Sequence, residues 1–471
     1  MKQITYIIVL LFLFMSVSQA QDTLSLDLEQ CRLMAIENSE KIRIAKTTVE
    51  KAGYEKAAAR SAWFPNISAS VLGLYSKTEI NQEIYLPAYN FDMATGELVP
   101  DLAINPLDGQ PIIGSDGNPV FNTYAYLPLD FSLNGGLLAS LSAEQPLYAG
   151  GKIITGNRMA ALGYEMAQLN TELNRHQVLY EADQAYYTYI SVAEKLKLAE
   201  KYCTLLNRLV AMVEDSYNTG MTNRNELLKV QVQLNEALLQ AQKARSGLEL
   251  SRMAICILIG TDLSTPLMIK DSIRVGRPIN TALLPPDPTN RYEYRLLEQK
   301  AILADMNIKM TLGDYLPTAG ISLGYNHYNI DLSGMDNYQS GGINAIASIS
   351  IPITKFGEGR AKIKSARADR EIAQMELEKT EKLLQLDIEQ ARLNLLDALA
   401  RLDIGRVAVE QADENVRVST DNYELGMETL AKLLEAQASW QKAYSSLIDA
   451  RADYKIKESY FRKVTNTLKV Q

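Results

Sequence analysis

Apolar residues recur at heptad spacing in four long segments of the chain. In the first, Lys152–Thr219, which contains no proline, the spacing alternates between four and three residues over Val178–Leu196. The same spacing recurs in Leu384–Leu402, Leu227–Leu248 and Leu433–Tyr454. A stripe with this period predicts α-helices that pack with coiled-coil geometry. The many alanines in these stripes should allow neighbouring helices to lie close together.

Four shorter segments alternate apolar and polar residues with the period of a β-strand. They are residues 67–75, 137–144, 321–326 and 344–351, and each has one apolar face and one face of small or polar residues. Their length of about ten residues is that of a tilted transmembrane strand, and aromatic residues flank them. A soluble sheet with one buried face is the alternative that the strands alone leave open.

Two short glycine-containing turns separate the long helical segments. They are Tyr217–Met221 and Tyr423–Met427. Glycine readily adopts the left-handed conformation that ends a helix, so Gly220 and Gly426 are predicted helix caps. A second helix should begin after each turn and run back. Each turn is therefore predicted to be the tip of a helical hairpin.

Polar side chains mark the predicted starts of several helices. The predicted caps are Asp27, Asn223 with Glu226 as a capping box, Asn290 with Glu293, and Thr429. Asp27 lies within a helix predicted over Leu24–Ala62. The helix that starts at Asn290 should continue to about Asp314.

The two tips lie in matching surroundings, 206 residues apart. At this offset the matching pairs are Pro146 and Pro352, Gly151 and Gly357, Leu227 and Leu433, and Arg245 and Arg451. A second offset, of 252 residues, relates Pro65 to Pro317. These matches predict two copies of one unit, which is built from a helix, two strands, a long helix, a tip and a returning helix.

The two predicted copies cover residues 21–260 and 290–471. The proline-rich segment 261–289 is interpreted as a linker between them. The first copy contains about 46 more residues between its strands than the second, and we predict a long turn-rich loop over residues 77–134, with turns or a small hairpin. A shorter loop is expected over residues 331–342.

The chain begins with a predicted secretory signal, residues 1–20, in which Lys2 precedes an apolar run too short to span a bilayer. The net charge of −8 becomes −9 without this signal, which argues against nucleic acid as a partner. No cysteine follows the cleavage site closely, so a lipoprotein is not predicted. Cys31, Cys203 and Cys256 are interpreted as buried thiols.

Motifs for catalysis or cofactor binding are missing from the sequence. His176 and His327 have no partners at metal-ligand spacing. Gly357-Glu358-Gly359 lacks the third glycine of a phosphate loop and is interpreted as a turn between a strand and a helix. No nucleophile elbow and no paired catalytic carboxylates are found. We therefore expect no enzyme activity, no cofactor and no metal site.

The four predicted strands are too few to close a barrel by themselves. In lipid, an open sheet edge would leave backbone groups without hydrogen-bond partners. If the strands enter a membrane, several copies of the chain must therefore combine to close the sheet. Lipid would then contact the apolar faces of the strands.

Several motifs, taken in order, resemble those of the outer membrane efflux protein family, the TolC-like exit ducts of Gram-negative bacteria. The matching segments are Leu26–Cys31 with Ala35 and Asn38, Trp63-Phe64-Pro65, Pro146–Gly151, Pro352–Gly357 with Arg360, and the two tips followed by Leu227-Leu228 and Leu433-Leu434. Their order and spacing, over nearly the whole mature chain, are more specific than any one motif. The resemblance implies a mainly α-helical fold with a transmembrane β-barrel contribution.

The resemblance also implies an assembly and a function. Three copies would share one β-barrel in the outer membrane, and their long helices would form an α-barrel through the periplasm, with residues 261–289 in a belt around its middle. This duct would serve a tripartite efflux or type I secretion system. Its partners would be a periplasmic adaptor and an inner-membrane RND, ABC or MFS transporter. A non-channel periplasmic coiled-coil adaptor is the alternative, although adaptors lack two strand pairs with an apolar face.

Members of the family close the tunnel near the tips with acidic residues nine and twelve positions after the second tip tyrosine. Here those positions hold Lys432 and Glu435, so only Glu435 matches; the first copy has Glu226 and Lys229. These four residues are the predicted pore constriction, the alternative being charges that solvate a helix face. The predicted adaptor-docking residues are Tyr217, Gly220, Met221, Tyr423, Gly426 and Met427.

Overall fold

A computed structural model describes residues 24–269, 272–273, 275–276, 287–333 and 338–469. The predicted signal peptide and part of the predicted linker lie outside these residues. Within the strands, the side chains of residues 77–82, 128–134 and 332–333 are also outside the description.

The chain divides into two compact units. The helical unit comprises the residues up to Ala59, Ile154–Thr311 and the residues from Arg360 onward. The strand unit comprises Arg60–Ile153 and Leu312–Gly359. Each unit draws on both halves of the sequence. The two predicted repeat copies remain a prediction, because they concern similarity along the sequence and the units concern packing.

Seven α-helices are found in the described residues. They are α1 (Leu28–Asn38), α2 (Glu40–Ser61), α3 (Lys152–Asn218), α4 (Arg224–Ile259), α5 (Tyr292–Gly313), α6 (Glu358–Glu424) and α7 (Leu430–Val464). Helices α3 and α6 each contain 67 residues, which corresponds to about 100 Å at 1.5 Å per residue. Across the described chain, we find no helix with enough length and apolar character to cross a bilayer.

The strands form one larger sheet and two small ones. They are β1 (Leu24–Ser25), β2 (Asn66–Pro87), β3 (Tyr89–Phe91), β4 (Leu98–Pro100), β5 (Tyr124–Ala149), β6 (Leu267–Met268), β7 (Thr318–Ser333) and β8 (Tyr338–Ser350). The larger sheet is antiparallel, in the order β2-β5-β7-β8, and it forms the body of the strand unit.

Strands β2 and β5 are longer than the sequence predicted, with 22 and 26 residues. Residues 77–87 and 124–134, predicted as loop, instead form a two-stranded ribbon, because pairing continues from Thr78–Leu133 to Pro87–Tyr124. The remaining connection contains the small hairpin β3–β4, which confirms that part of the prediction. The predicted loop 331–342 is mostly strand as well, and its residues 334–337 lie outside the described chain.

The first helix begins later than predicted and is interrupted. Leu24 and Ser25 form β1, which pairs in parallel with β6. Asp27 then caps α1, as predicted: its carboxylate accepts a hydrogen bond from the Gln30 N–H at 2.7 Å, and the Gln30 side chain accepts from the Asp27 N–H at 3.2 Å. At Ser39 the backbone is extended, so the prediction of one helix over Leu24–Ala62 was wrong.

The predicted cap at Asn290 was also wrong. Asn290 ends a short 3₁₀ helix, Pro288–Asn290, and α5 begins at Tyr292. Asp287 caps this turn through the Thr289 N–H at 2.9 Å. The proline at its first position has no N–H and a fixed φ, which favours a helix start there.

The long helices pack largely through their predicted apolar seams. In α6 every predicted seam position is buried: Leu384, Ile388, Ala391, Leu395, Ala398 and Leu402. In α3 the buried positions are displaced from the prediction, since Tyr186 and Ile190 are buried while Tyr189 and Val192 are only half-buried. The reason is that α3 shares a core cluster with residues of α1, α2, α4 and α7, which cover a broader face of the helix.

Each of the two longest helices follows a turn in the left-handed region. Gly150 and Gly151 have φ of +61° and +77° before α3, and Phe356 and Gly357 have φ of +45° and +88° before α6. The predicted turn ahead of α6 is thereby confirmed. A Cβ atom at Gly150 would collide with the backbone of Gly313, whereas the Phe356 side chain is 98% exposed.

The three cysteines are buried and free, as predicted. Burial, with the nearby charge of Asp183, raises the pKa of the Cys31 thiol to about 12. Cys31 is therefore an unreactive core residue at neutral pH.

Candidate functional site

Apolar side chains line one face of the larger sheet. Two consecutive rows, paired across all four strands, are Ile67–Ala143–Leu323–Ala345 and Ala69–Leu141–Tyr325–Ile343. Ile67 is 71% exposed and Ile343 is 84% exposed. We call this surface the apolar face. It confirms the alternation that the sequence predicted, and it lies uncovered in the single chain.

The rows adjacent to these two point to the opposite face of the sheet, which is polar. It carries Ser68–Ser142–Gly324–Asn344 and Ser70–Ser140–Asn326–Gly342. The hydroxyls of Ser68 and Ser142 lie 2.9 Å apart, and those of Ser70 and Ser140 lie 2.7 Å apart. We call this surface the polar face. A sheet with these two faces separates an apolar medium from water.

The sheet has two free edges. Strands β2 and β8 are the outer strands, and within the described residues each pairs on one side only. Their outer N–H and C=O groups would have no hydrogen-bond partners in hydrocarbon. An apolar environment therefore requires that another strand complete each edge.

Both predicted helical tips have the geometry of a Schellman motif. At the first tip, Gly220 has φ of +76°. Its N–H donates to the Tyr217 carbonyl at 3.0 Å, and the Met221 N–H donates to the Ser216 carbonyl at 2.8 Å. These two bonds satisfy carbonyl groups that the end of α3 leaves free.

The second tip repeats this arrangement at Gly426, where φ is +71°. The Gly426 N–H donates to the Tyr423 carbonyl at 3.0 Å, and the Met427 N–H donates to the Asn422 carbonyl at 2.8 Å. The predicted glycine caps are therefore confirmed at both tips.

The two predicted N-caps that follow the tips differ in whether their side chains form a capping hydrogen bond. Asn223 accepts a hydrogen bond from the Glu226 N–H at 3.1 Å, and the reciprocal bond of a capping box is not found at this position in the described chain. Thr429 occupies the N-cap position of α7 but forms no side-chain cap bond.

The methionine side chains at the two tips are exposed to solvent. In a Schellman motif, the residue after the cap usually packs against an apolar side chain in the last turn. Here that turn offers Ser216 or Asn422 instead, and Met221 and Met427 are 84% and 69% exposed. Met side chains adapt to varied partners. The tips therefore present two exposed, adaptable apolar side chains.

The structure brings the two tips into one core cluster. Val213 and Val230 of the first hairpin lie in the same cluster as Leu430 and Leu433 of the second. Tyr423 packs against this cluster, where burial and then the charge of Glu226 raise its phenol pKa. The predicted docking residues and constriction residues are therefore neighbours at one end of the two hairpins.

The four predicted constriction residues have accessible side chains. Lys229, Lys432 and Glu435 are exposed, and Glu226 is half-buried. None of the four forms an ion pair within the described chain. Their charges are therefore free to face either a passage or bulk water.

A buried ion pair that the sequence analysis missed joins α1 to α3. Arg32 donates to both carboxylate oxygens of Asp183, through Nε at 2.6 Å and Nη2 at 2.7 Å. The Ser459 hydroxyl, on α7, also donates to Asp183. The Asp183 side chain has no exposed surface. Spacing alone cannot distinguish such charges from the solvated face of a helix.

A second polar cluster joins α5, α6 and α7. Arg291 pairs with Asp387 at 2.6 Å and with Glu293 at 2.8 Å. The Tyr460 hydroxyl donates to Asp387 at 2.7 Å. Burial, and then this hydrogen bond, raise the pKa of Tyr460. This cluster, too, had no signal in the sequence.

Helix α6 carries a second apolar stripe that the single chain leaves uncovered. Its members are at least 40% exposed and lie on the side of the helix opposite the buried seam: Leu383, Leu386, Leu393, Leu396, Ile404 and Val407. An uncovered stripe of this length is typical of a helix that packs against another subunit.

The described residues contain no group of side chains that could hold a metal ion. His176 packs edge-on against the Tyr292 ring, with 5.2 Å between ring centroids. His327 Nε2 lies 3.3 Å from the Gln339 side-chain nitrogen. The two histidines therefore have local structural partners.

Comparison with known proteins finds similarity to outer membrane efflux proteins. The family model described as outer membrane efflux protein matches residues 297–467. The chain is 24% identical over 272 residues to the probable outer membrane lipoprotein SilC of Salmonella typhimurium, covering 57% of this chain and 55% of SilC. It is 22% identical over 309 residues to the solvent efflux pump outer membrane protein SrpC of Pseudomonas putida, covering 62% of each. The chain thus spans less than two thirds of both curated relatives.

The fold is also shared with solved structures. The crystal structure of the CmeC outer membrane channel of Campylobacter jejuni aligns with a TM-score of 0.72 at 16% identity, covering 93% of this chain and 85% of that one. VceC, an outer membrane protein of Vibrio cholerae, aligns with a TM-score of 0.70 at 14% identity, covering 93% and 95%.

Proposed function

From the resemblance to outer membrane efflux proteins, which the comparisons confirm, we propose that this chain is a subunit of an exit duct in the outer membrane. Outer membrane efflux channels are not enzymes, and the relatives' names support an outer membrane location. The proposed activity is the passage of substrates from the periplasm, or from an inner-membrane pump, to the outside.

The observation that carries the proposal is the four-stranded sheet with one exposed apolar face, one polar face and two free edges. Such a sheet is unstable in water because its apolar face is uncovered, and unstable alone in lipid because its edges are unpaired. Both problems are solved when several sheets join edge to edge around a water-filled passage.

We propose that the assembly is a homotrimer with twelve strands. The uncovered stripe on α6 gives independent support, because it offers a contact between subunits within the helical unit. Native mass spectrometry of the detergent-solubilised protein should detect three chains. A stable monomer that needs no detergent would contradict the proposal.

The direct test of the duct is single-channel recording in planar bilayers. We expect a stable conducting state from purified wild-type protein and none from the same preparation after heat unfolding. A folded trimer that inserts into the bilayer but passes no current under any applied voltage would favour the non-channel adaptor alternative.

The tips are the proposed docking site for a periplasmic adaptor, which would connect the duct to an inner-membrane RND, ABC or MFS transporter. The exposed Met221 and Met427 support this proposal. Replacing both with serine keeps the glycine caps but removes the apolar contact, so export should fall while trimer and conductance persist. The matched control is Met93→Ser, since Met93 is 93% exposed in the strand unit. Unchanged export in the tip variant would exclude this docking site.

We further propose that Glu435 lines the periplasmic entrance, near Lys432 one helical turn away. Three carboxylates around one axis would attract cations, and Lys432 would weaken their field. Glu435→Gln should reduce cation preference, and Lys432→Gln should increase it. Glu226→Gln and Lys229→Gln test the first hairpin in the same way. If Glu435→Gln leaves both selectivity and block by multivalent cations unchanged, Glu435 does not face the passage.

A further inference from the structure

The polarity of the sheet faces reverses toward the β2–β5 ribbon. On the surface that continues the polar face, the next two rows are Leu72–Leu138–Tyr328–Ser340 and Leu74–Gly136–Ile330–Tyr338. Leu72, Leu74 and Tyr338 are 63%, 56% and 56% exposed. We call the apolar residues of these two rows the collar. A serine- and asparagine-lined surface thus becomes apolar and aromatic over two rows.

The opposite surface changes in the other direction. Its rows at this level are Val71–Ala139–His327–Gly341 and Gly73–Leu137–Asn329–Gln339. The imidazole of His327 lies within hydrogen-bond distance of the Gln339 amide. On β7 and β8, histidine, asparagine and glutamine replace the apolar residues of the apolar face. On β2 and β5 this surface stays apolar, with Val71 and Leu137.

The register places these residues without ambiguity. The irregularities of β2 and β5 lie outside the rows in question: between Tyr75 and Thr78, between Leu133 and Gly135, and between Pro146 and Tyr148. A Cβ atom at Gly136 would lie 3.6 Å from the Ile330 side chain, so these two positions share a surface. Gly341 is likewise beside Tyr325 and His327 on the other surface.

The reversal has a simple meaning for a strand that crosses a bilayer. Hydrocarbon requires an apolar exterior over about 9–11 residues of strand. Lipid on one surface of the sheet accounts for apolar residues on that surface alone. The collar points away from the surface that lipid covers, so the membrane does not account for its composition.

We propose that the collar is a binding site for uncharged apolar solutes at the outer mouth of the passage. This inference rests on the proposed duct, in which the polar face and the collar line the lumen. A barrel of about twelve strands is wider than the eight-stranded barrels that side chains fill, so the collars of three subunits remain apart and open to cargo. The described collar residues carry no charge, and Tyr328 and Tyr338 add aromatic rings with hydroxyl groups.

Binding is tested with N-phenyl-1-naphthylamine, an uncharged apolar fluorophore, on trimers in lipid nanodiscs. The collar variant is Leu72→Asn with Leu138→Asn, and the control is Leu137→Asn, one residue away on the other surface. Partition of the probe into the lipid should be the same in all samples. The signal from protein-free nanodiscs is subtracted to remove it. The collar variant should bind the probe at least about tenfold more weakly than wild type, because two leucine side chains no longer cover it. The control should bind as wild type does.

The outcomes separate the collar from the duct. Conductance is recorded for each variant, and we expect all three proteins to conduct. If they conduct and the collar variant binds the probe as tightly as the control, the collar proposal is overturned and the duct stands. If wild type binds no probe until residues 90–121 are deleted, the connection between the strands covers the collar, and the proposal is again overturned. If wild type does not conduct, the duct itself fails. Should the asparagine variant not form trimers, Leu72→Ala with Leu138→Ala replaces it.

Discussion

The helical unit and the strand unit of this chain differ in how far their apolar side chains are buried in the single chain. Apart from the uncovered stripe on α6 and other exposed side chains, the helical unit has a buried core, in which Tyr186, Tyr202 and Phe461 are almost completely buried in the single chain. The strand unit leaves Ile343 and Ile349 84% and 74% exposed. Since burial of apolar area is the main stabilising contribution to folding, the helical unit carries its own core. The strand unit must obtain most of its stability from its surroundings.

The two units also differ in their polar groups. The helical unit largely buries the Arg32–Asp183 ion pair, whose side chains are 13% and 0% exposed. In the strand unit, serine hydroxyls pair across exposed rows, where water could replace them. Substitutions in the helical unit should therefore act through the chain itself, and those in the strand unit through assembly and membrane.

The largest expected effect is in the helical unit. Asp183→Ala leaves the Arg32 guanidinium buried without a partner, which should lower the free energy of unfolding by about 3–5 kcal/mol. The measurement is denaturant unfolding followed by circular dichroism. The control is Lys51→Ala, which breaks an ion pair with Glu55 whose side chains are 74% and 63% exposed. That change should cost less than about 1 kcal/mol. Equal effects of the two substitutions would show that the buried pair contributes no more than a surface pair.

The next effect tests the strand unit. Leu141→Arg places a charge on the apolar face, at a cost of about 2–4 kcal/mol per chain if that face is at the middle of the bilayer. We expect a sharp loss of trimer from the outer membrane fraction, measured on unheated gels. Ser140→Arg, the adjacent residue on the polar face, should leave trimer yield nearly unchanged. If Ser140→Arg were the more damaging substitution, the assignment of the two faces would be reversed.

Substitution of the tip glycines should have a smaller effect on stability, which comes only from backbone conformation. In Gly220→Val, the added Cβ atom meets no atom within 4 Å, so the expected cost comes from the φ of +76°, which a β-branched residue resists. We expect a loss of about 1–3 kcal/mol from thermal unfolding of the purified trimer. Gly426→Val should behave alike. Gly163→Ala, in the interior of α3 with open space around it, should be neutral or stabilising.

The smallest effect is a pH dependence at His176. Burial lowers the pKa of this imidazole below its usual 6.5, although the carboxylates of Glu172 and Glu293 oppose the shift and the cations of Arg175 and Lys463 support it. The unfolded chain therefore binds a proton first as pH falls. This contribution to stability is complete above pH 6.5 and declines as pH falls below it. His176→Phe, which keeps a ring against Tyr292, should flatten the stability curve below about pH 6.5. A curve parallel to that of wild type would exclude the effect.

Much of the fold was predictable because it depends on periodicity and on residues with special backbone preferences. The seam of α6 follows from heptad spacing, and the tips follow from glycine in the left-handed region. The seam of α3 was only partly predicted, since several partners cover this helix and the two-helix pattern no longer applies. The late start of α1 follows from the pairing of Leu24 and Ser25 with β6, which has no local signature.

The strands show which structural features a local sequence pattern does not predict. Alternation located the membrane-length part of each strand, but the ribbon beyond it has the proline and polar composition of a loop, and only pairing with its partner makes it strand. The buried partners of Asp183 and Asp387 were missed for a similar reason, because helix periodicity does not reveal which charges a distant helix will cover. The constriction and docking residues remain predictions, for their roles depend on other chains.

The turn ahead of each long helix has a consequence for tolerance to mutation. At Gly150 both the backbone angle and the nearby Gly313 carbonyl exclude a side chain, so a saturation library should recover glycine almost alone. At Phe356 the same left-handed angle is kept by a residue whose side chain meets no such obstacle. There the library should recover many residue types, with glycine, asparagine and aspartate enriched for backbone reasons. The two turns have similar backbone angles but should tolerate different sets of residues. At Gly150 a neighbouring carbonyl limits the choice, whereas at Phe356 only the backbone angle does.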